Sequence, residues 1–395
     1  MRKLINFNLE ICKKWFSNTN FYGYDPYDFR GSDNYVRLFG HQNLIFKKIR
    51  GFLSVIEYNI PPRLLRRVFR IKTSVNPKGL GLLASSYLSL YRSTFDKNYL
   101  EKTNHVLDWL YNNANANYMG YSWGYPFHWQ SRIFFEKGTP SSVATGTIGD
   151  AFLDHFIISN SARSLKVCEG IAQFFLNCLN RNYNNDKNFC FSYTPIDNFK
   201  VHNASLFVAA FLARFGKVTN NQVFIDIALQ ATHYTLSEQN ADGSFNYWSN
   251  EPKSLIDHYH TGFVLRHLDT VQKSIPGESF TENINRGYHF YRNNLFHKSG
   301  IPMFSTKSIY PIDVHSCAES ILCLNQFEDN PLSDQLLSNV LNFIQENMIS
   351  KNGHYIAAIR NRFWGDQKIN IAYMRWGQCW MFLAFAKLFE KTNKI

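Results

Sequence analysis

Four short polar-aromatic stretches each stand directly ahead of an apolar helical run, and their spacing leaves the chain few architectures. The fullest is Tyr310-Pro-Ile-Asp-Val-His-Ser-Cys-Ala-Glu319. Ser316 and Glu319 match an S-x-x-E capping box, and Ile321-Leu322-Cys323-Leu324 follows. On that reading Asp313 and His315 lie just outside a helix N-terminus, where backbone N–H groups are free and the field favours anions. Ile256-Asp-His-Tyr-His-Thr-Gly262 repeats the arrangement ahead of Phe263-Val-Leu265. Val201-His-Asn-Ala204 and Ala372-Tyr-Met-Arg-Trp-Gly377 repeat it more loosely.

Between these starts the loops also recur. Gly120-Tyr-Ser-Trp-Gly-Tyr125, Phe189-Cys-Phe-Ser-Tyr193, Asp242-Gly-Ser-Phe-Asn-Tyr247, Gly300-Ile-Pro-Met-Phe304 and Asn352-Gly-His-Tyr355 each follow a long helical pattern. Four of the five place a Gly near an aromatic residue, as a left-handed helix terminus requires. One helical hairpin per period is a repeat architecture. Apolar residues recur at helical spacing near 80–93, 97–111, 142–158, 162–181, 203–215, 221–238, 257–270, 281–296, 314–327, 334–348 and 371–390. The fold expected is all-α, with six hairpins closed into an (α/α)6 toroid whose inner helices run parallel. A linear solenoid is the competitor, and it does not require the polar clusters to converge. Residues 1–75 look irregular or separately packed. The expected organisation is therefore an N-terminal extension over 1–75 and a toroid over 76–395.

The 395 residues carry a formal charge of +12, which permits nucleic acid, anionic membrane or anionic substrate and selects none. No motif for nucleic acid, nucleotide or dinucleotide binding is present; Gly79-Leu-Gly81 is neither a P-loop nor a dinucleotide fingerprint. The seven cysteines include no C-x-x-C pair, which suits a reducing compartment. Asn6, Asn8 and Glu10 interrupt the apolar N-terminus, so it does not read as a signal peptide, and a cytoplasmic location is expected. Lys47 to Lys72 holds eight Lys/Arg against one Glu, interleaved with apolar residues. It reads either as a basic element in peripheral contact with an anionic membrane or as a solvated helix face.

Gly23-Tyr-Asp-Pro-Tyr-Asp28, Asn76-Pro-Lys-Gly79, Trp123-Gly-Tyr-Pro-Phe-His-Trp-Gln-Ser-Arg132, Lys137-Gly-Thr-Pro140, Ile256–Gly262, Tyr310–Ser316 and Met374-Arg-Trp-Gly-Gln378 resemble, as a set, a family of six-hairpin toroids found among bacterial polysaccharide biosynthesis proteins. The likeness runs from about residue 22 to 390. More distantly the pattern is similar to terpenoid cyclase and prenyltransferase toroids, six-hairpin glycosidases and the C-terminal domain of glucuronyl C5-epimerases. Gln239-Asn-Ala-Asp-Gly-Ser-Phe245 resembles the Q…DGSW element of such toroids, with Phe245 where Trp is usual. His128 and His258 also depart from the family's pattern, which has Asp and Asn there. The resemblance implies work on a surface polysaccharide and supplies no reaction.

The chemistry-bearing residues divide into two sets. Asp257 with His260, and Asp313 with His315, pair a carboxylate with an imidazole for proton transfer on a sugar, with Tyr373 as a further acid–base candidate. The bland reading is that both aspartates cap helices. Arg375 and Trp376 offer a bidentate fork and a stacking face. Trp123, Tyr125, His128, Trp129 and Arg132 form an aromatic-basic loop, and His202 and Asn203 mark a further helix start, so these too are candidates for binding substrate. No metal or other cofactor is expected, because the Asp, His and Cys317 spacing is not a closed zinc pattern. Expected partners are a saccharide or sugar phosphate. Epimerase, lyase and glycosidase chemistry all stay open, as does a non-catalytic scaffold that binds glycan or lipid carrier. Isoprenoid cyclisation is disfavoured by the lack of a D-x-D-D motif.

Overall fold

The computed structural model describes residues 1–40, 48–49, 51, 54, 57–184, 187–249, 251 and 254–394. Of the basic segment Lys47–Lys72, residues 47, 50, 52–53 and 55–56 lie outside that description.

Six helices form the inner wall: α4 (Pro77–Thr94), α6 (Ser142–Ser159), α8 (His202–Thr219), α10 (His258–Ser274), α12 (Val314–Phe327) and α14 (Trp380–Lys394). Each packs on the next, and α14 returns to α4, so the ring is closed. Outer helices α5 (Lys97–Asn112), α7 (Ala162–Cys178), α9 (Gln222–Ser237), α11 (Thr281–Asn294) and α13 (Gln335–Phe343) complete five hairpins. The sixth outer helix is α1 (Arg2–Thr19), which packs on α14. Between α1 and the first inner helix lie α2 (Asp33–Phe39) and α3 (Pro62–Val68), and the described residues among 48–59 are helical as well. The inner helices are apolar almost all round because both faces are covered; nearly every residue of α8 is buried.

The sequence pattern missed α1, assigning it to an extension. Its buried face, Ile5, Leu9, Cys12 and Phe16, joins the main core. Its other positions are polar enough to dilute the apolar periodicity. A three-stranded antiparallel sheet was also missed: β5 (Ile312–Asp313), β6 (Ala358–Arg362) and β7 (Gly365–Ile369), with Asp313 opposite Ala358 and Arg362 opposite Gly365. Two further hairpins, β1 (Trp129–Gln130) with β2 (Phe134–Phe135) and β3 (Arg181–Tyr183) with β4 (Phe189–Phe191), lie in loops. Strands this short give too few alternations to register as a period.

Helix starts also differ from expectation. Asp313, not Ser316, caps α12, accepting the His315 N–H at 2.7 Å. His315 therefore lies inside the first turn. Glu319 does not close a capping box; it takes Arg266 of α10 in a two-bond ion pair of 2.6 and 3.0 Å. Asp257 caps α10 in the same way, accepting from the His260 N–H. The last inner helix is preceded by a π-helical turn, Met374–Cys379, rather than a regular start.

The ends of the ring differ in chemistry. At the C-terminal ends of the inner helices, Arg92 pairs with Glu390 and Asp154, and Arg214 pairs with Asp150 and Asp154, linking α14, α4, α6 and α8. Arg92, Asp150, Asp154 and Arg214 line a cavity of about 310 Å³ at that end; at the N-terminal ends a second cavity opens, walled by aromatic side chains.

Closure by α1 gives a direct test. Phe16 is fully buried and its ring packs on Phe382 of α14 at 5.8 Å. Phe16→Ala should cost about 3–5 kcal/mol, read as a lowered urea midpoint. A cost near that of an exposed substitution would show that α1 is not part of the cooperative ring.

Candidate functional site

The cavity at the N-terminal ends holds about 230 Å³ and is lined from every quarter of the ring. Inner helices contribute Lys78 (α4), Val143 (α6), Asn203 (α8), Tyr259, His260 and Phe263 (α10) and His315 (α12), and the π turn contributes Arg375 and Trp376. These residues sit within the first six positions of their elements, so the inner helices run parallel with their N-termini at one site. The loops add Tyr27, Tyr125, Phe127, Trp129, Tyr193, Phe199, Tyr247 and Trp248. The volume is below the ~300–1,000 Å³ of pockets for drug-sized ligands. It suits one sugar ring rather than a run of them.

His260 is the better-positioned imidazole. Its Nδ1 is 2.6 Å from Asp257, whose other oxygen caps the helix. The carboxylate fixes the ring and leaves Nε2 for the cavity. His315 is buried with neither ring nitrogen bonded among the described residues. Its ring stacks on Tyr259 at 4.6 Å and on Trp380 at 4.8 Å. Burial, helped by Lys78 and Arg375, pushes its pKa well below the usual imidazole value and holds it neutral. A neutral imidazole offers one donor and one acceptor.

Asp257 and Asp313 lie one layer behind this wall. Asp313 accepts the Trp376 indole N–H at 2.9 and 3.2 Å as well as its cap bond. Burial raises its carboxyl to about 6, against the His315 N–H and the Trp376 indole, which lower it, and with a smaller upward push from Asp257. Arg375 lines the cavity with its Nε and Nη2 edge held by Asp25 at 2.7 and 2.8 Å. Tyr125 stacks beneath its guanidinium, 4.9 Å from ring centre to Cζ.

Asn203, His260, His315, Arg375, Trp376, Tyr125 and Trp129 are thus brought together. Five other sequence candidates are not on the cavity wall. Trp123 is a core residue that donates its indole N–H to Leu110 and stacks on Phe152. His128 is held in a surface cluster with Asp33 and the Lys137 N–H. Arg132 pairs with Glu251 and lies over Trp248 at 3.9 Å, buttressing a lining ring from outside. Tyr373 faces away, packed with Ala358, Ile369 and Ile371 under Arg66. His202 occupies a small recess beside the cavity with Asp257, 3.6 Å from Glu238. For His128, Arg132 and His202 a neighbour in sequence lines the cavity instead, Phe127 and Trp129, Ser131, and Asn203; on α8 this follows because adjacent helix positions point about 100° apart.

Lys78 and Tyr27 were missed. Lys78 is the second residue of α4, as His315 is of α12, so extending the helix-start rule to Asn76-Pro-Lys would have found it. Tyr27 carried no such signal; it reaches the cavity because Asp25 docks its loop on Arg375.

No protein-family model matches the chain, and no curated protein matches it in sequence. Solved structures match it in fold. Cellobiose 2-epimerase from Bacillus thermoamylovorans superposes with a TM-score of 0.63 at 11% identity, over 80% of this chain and 88% of that one. A D-mannose isomerase gives 0.57 at 12%, over 79% and 87%. An unsaturated glucuronyl hydrolase specific for heparin gives 0.54 at 12%, over 82% and 89%. The chain is a six-hairpin (α/α)6 toroid of the kind these proteins share. Among the described residues no helix is long and apolar enough to cross a membrane.

The raised carboxyl of Asp313 makes stability depend on pH. A carboxyl raised on folding contributes stability that is full below the unfolded value of 3.8 and is lost as pH rises through about 6. Asp313→Asn keeps both accepted bonds and removes the charge. The variant should match wild type near pH 4 and exceed it at about pH 7.5 by up to about 3 kcal/mol in urea unfolding. An offset that does not vary with pH would contradict the assignment.

Proposed function

We propose that this chain is a carbohydrate-active enzyme that moves a proton on a saccharide, in the assembly or modification of a bacterial surface polysaccharide. One observation carries the reading. Four buried polar atoms on a single aromatic cavity, Trp129 Nε1, Asn203 Oδ1 and both ring nitrogens of His315, lack partners among the described residues. Buried polar groups are nearly always hydrogen-bonded, so such a cluster calls for a polar ligand. Aromatic walls with a few convergent donors and acceptors suit a sugar ring.

Two imidazoles on that wall favour proton transfer next to a sugar carbonyl or carboxylate, as in epimerisation, isomerisation or lysis. His260, oriented by Asp257, is the base; neutral His315 is its partner in donating or accepting. Glycoside hydrolysis would instead need two carboxylates flanking the scissile bond. Asp257 and Asp313 are committed to caps, to His260 and to Trp376, and among the described residues no carboxylate lines the cavity. The fold's appearance in a cellobiose 2-epimerase and a D-mannose isomerase is in keeping with this chemistry. The surface-polysaccharide setting rests on the sequence resemblance; a cytoplasmic location rests on the scattered cysteines, which suit a reducing compartment, and peripheral contact at an anionic membrane on the basic run Lys47–Lys72.

The test is solvent exchange. In D2O, proton NMR of reducing disaccharides and uronates with the wild-type protein should show loss of the signal alpha to the carbonyl or carboxylate. His260→Asn should slow that loss by about 10²–10⁴-fold. Sugars that bind without any exchange would replace the enzyme reading with the scaffold.

A further inference from the structure

The cavity floor holds a charge-bearing group that the proton-transfer reading does not use. Lys78 is 3% exposed, yet its side chain reaches the cavity. Its Nζ lies among three rings, 5.5 Å from Phe207, 5.8 Å from Phe263 and 5.3 Å from Trp380. Among the described residues it makes no hydrogen bond and no ion pair. Buried lysines are rare unless paired, because desolvating an ammonium is costly.

The charged and titratable groups around Lys78 explain why it stays unpaired. From α12, Glu319 faces it but is held by both nitrogens of Arg266. From the N-terminal loop, Asp25 faces it but is held by Arg375. Arg375 itself, from the π turn, opposes a second positive charge. His315 of α12 and His267 of α10 are both kept neutral by burial, with Lys78 adding to the effect. Among the described residues each carboxylate within reach is therefore neutralised by another cation, and none lines the cavity.

We infer that Lys78 is the anchor for an oxyanion of the substrate, so that the cavity takes an acidic sugar carrying a carboxylate or phosphate. The inference rests on the saccharide reading of this cavity but not on its being catalytic. Among the described residues no carboxylate is free to pair with an ammonium at this position, so the counter-ion that would hold Lys78 charged is left to a ligand. Burial, with Arg375 close by, holds the free amine well below the usual lysine range. An arriving oxyanion reverses that balance, so one proton moves from solvent to the amine, giving an ammonium paired with the unchanged anion.

The experiment is titration calorimetry near neutral pH in two buffers of different ionisation heat. The probes are D-glucuronate and D-glucose 1-phosphate, with D-glucose as the neutral control. Wild type should bind at least one anion about tenfold or more tighter than glucose, as expected for a charge-assisted hydrogen bond. Its binding heat should differ between buffers by the uptake of close to one proton, while glucose binding should not. Lys78→Met should lose both the preference and the uptake. Lys78→Arg, charged throughout, should keep the preference and lose the uptake, and its native circular dichroism guards against misfolding. Equal affinity for glucose and both anions in wild type overturns the inference, as does a Met variant that retains preference and uptake. Anion preference with proton uptake in a wild-type protein that shows no deuterium exchange at any sugar carbon would sink the catalytic reading and leave this one standing.

Discussion

Ring closure is the constraint on which everything else depends. Helix α14 lies between α12 and α4 and is backed by α1, so the two ends of the chain are built into one wall. Hairpins that alternate inner and outer helices make all inner helices parallel once the ring is shut. Six N-termini then share one end and six C-termini the other. The C-terminal end carries the ion pairs of Arg92 and Arg214, which join four inner helices. The N-terminal end opens into the candidate cavity, where the helix ends add positive potential.

That potential is managed by a layer of carboxylates set behind the wall. Asp257 and Asp313 cap their helices and spend their remaining oxygens on His260 and Trp376. Asp25, from outside the repeats, neutralises Arg375 and brings Tyr27 to the cavity. Glu319 neutralises Arg266. What lines the cavity is consequently mainly rings, imidazoles and cations. The carboxylates act through the groups they hold, which is why Asp257 and Asp313, clear as their sequence signals are, do not line it.

The repeat was legible in the chain because hydrophobic periodicity and glycine-marked loops are local signals. Nine of the helical runs read from the pattern correspond to single observed helices; 334–348 became a helix ending in a π turn, Ile344–Met348, and 371–390 a π turn leading into a helix. The helix α1 was not legible, since its buried face is narrow and its partner lies some 370 positions away. At the site, sequence found the right helix starts but not always the right residue. His202 and Asn203 are adjacent, and only the turn of α8 decides that Asn203 faces the cavity. Tyr373 and Arg375 are separated by the π turn, which sends one to the sheet and the other to the ligand.

By itself the sequence determined a helical repeat and roughly where its inner helices begin, since each depends on neighbours within a turn or a loop; of the two Asp–His pairs it offered, only Asp257 with His260 joins carboxylate to imidazole, while Asp313 meets only the His315 backbone. Tertiary structure alone decided that Asp25 reaches Arg375, that Glu319 goes to Arg266 rather than a cap, and that Lys78 is left without a counter-ion. Those outcomes depend on how charges hundreds of positions apart compete for one another in a buried, low-dielectric space, and no local pattern encodes which pairs will win.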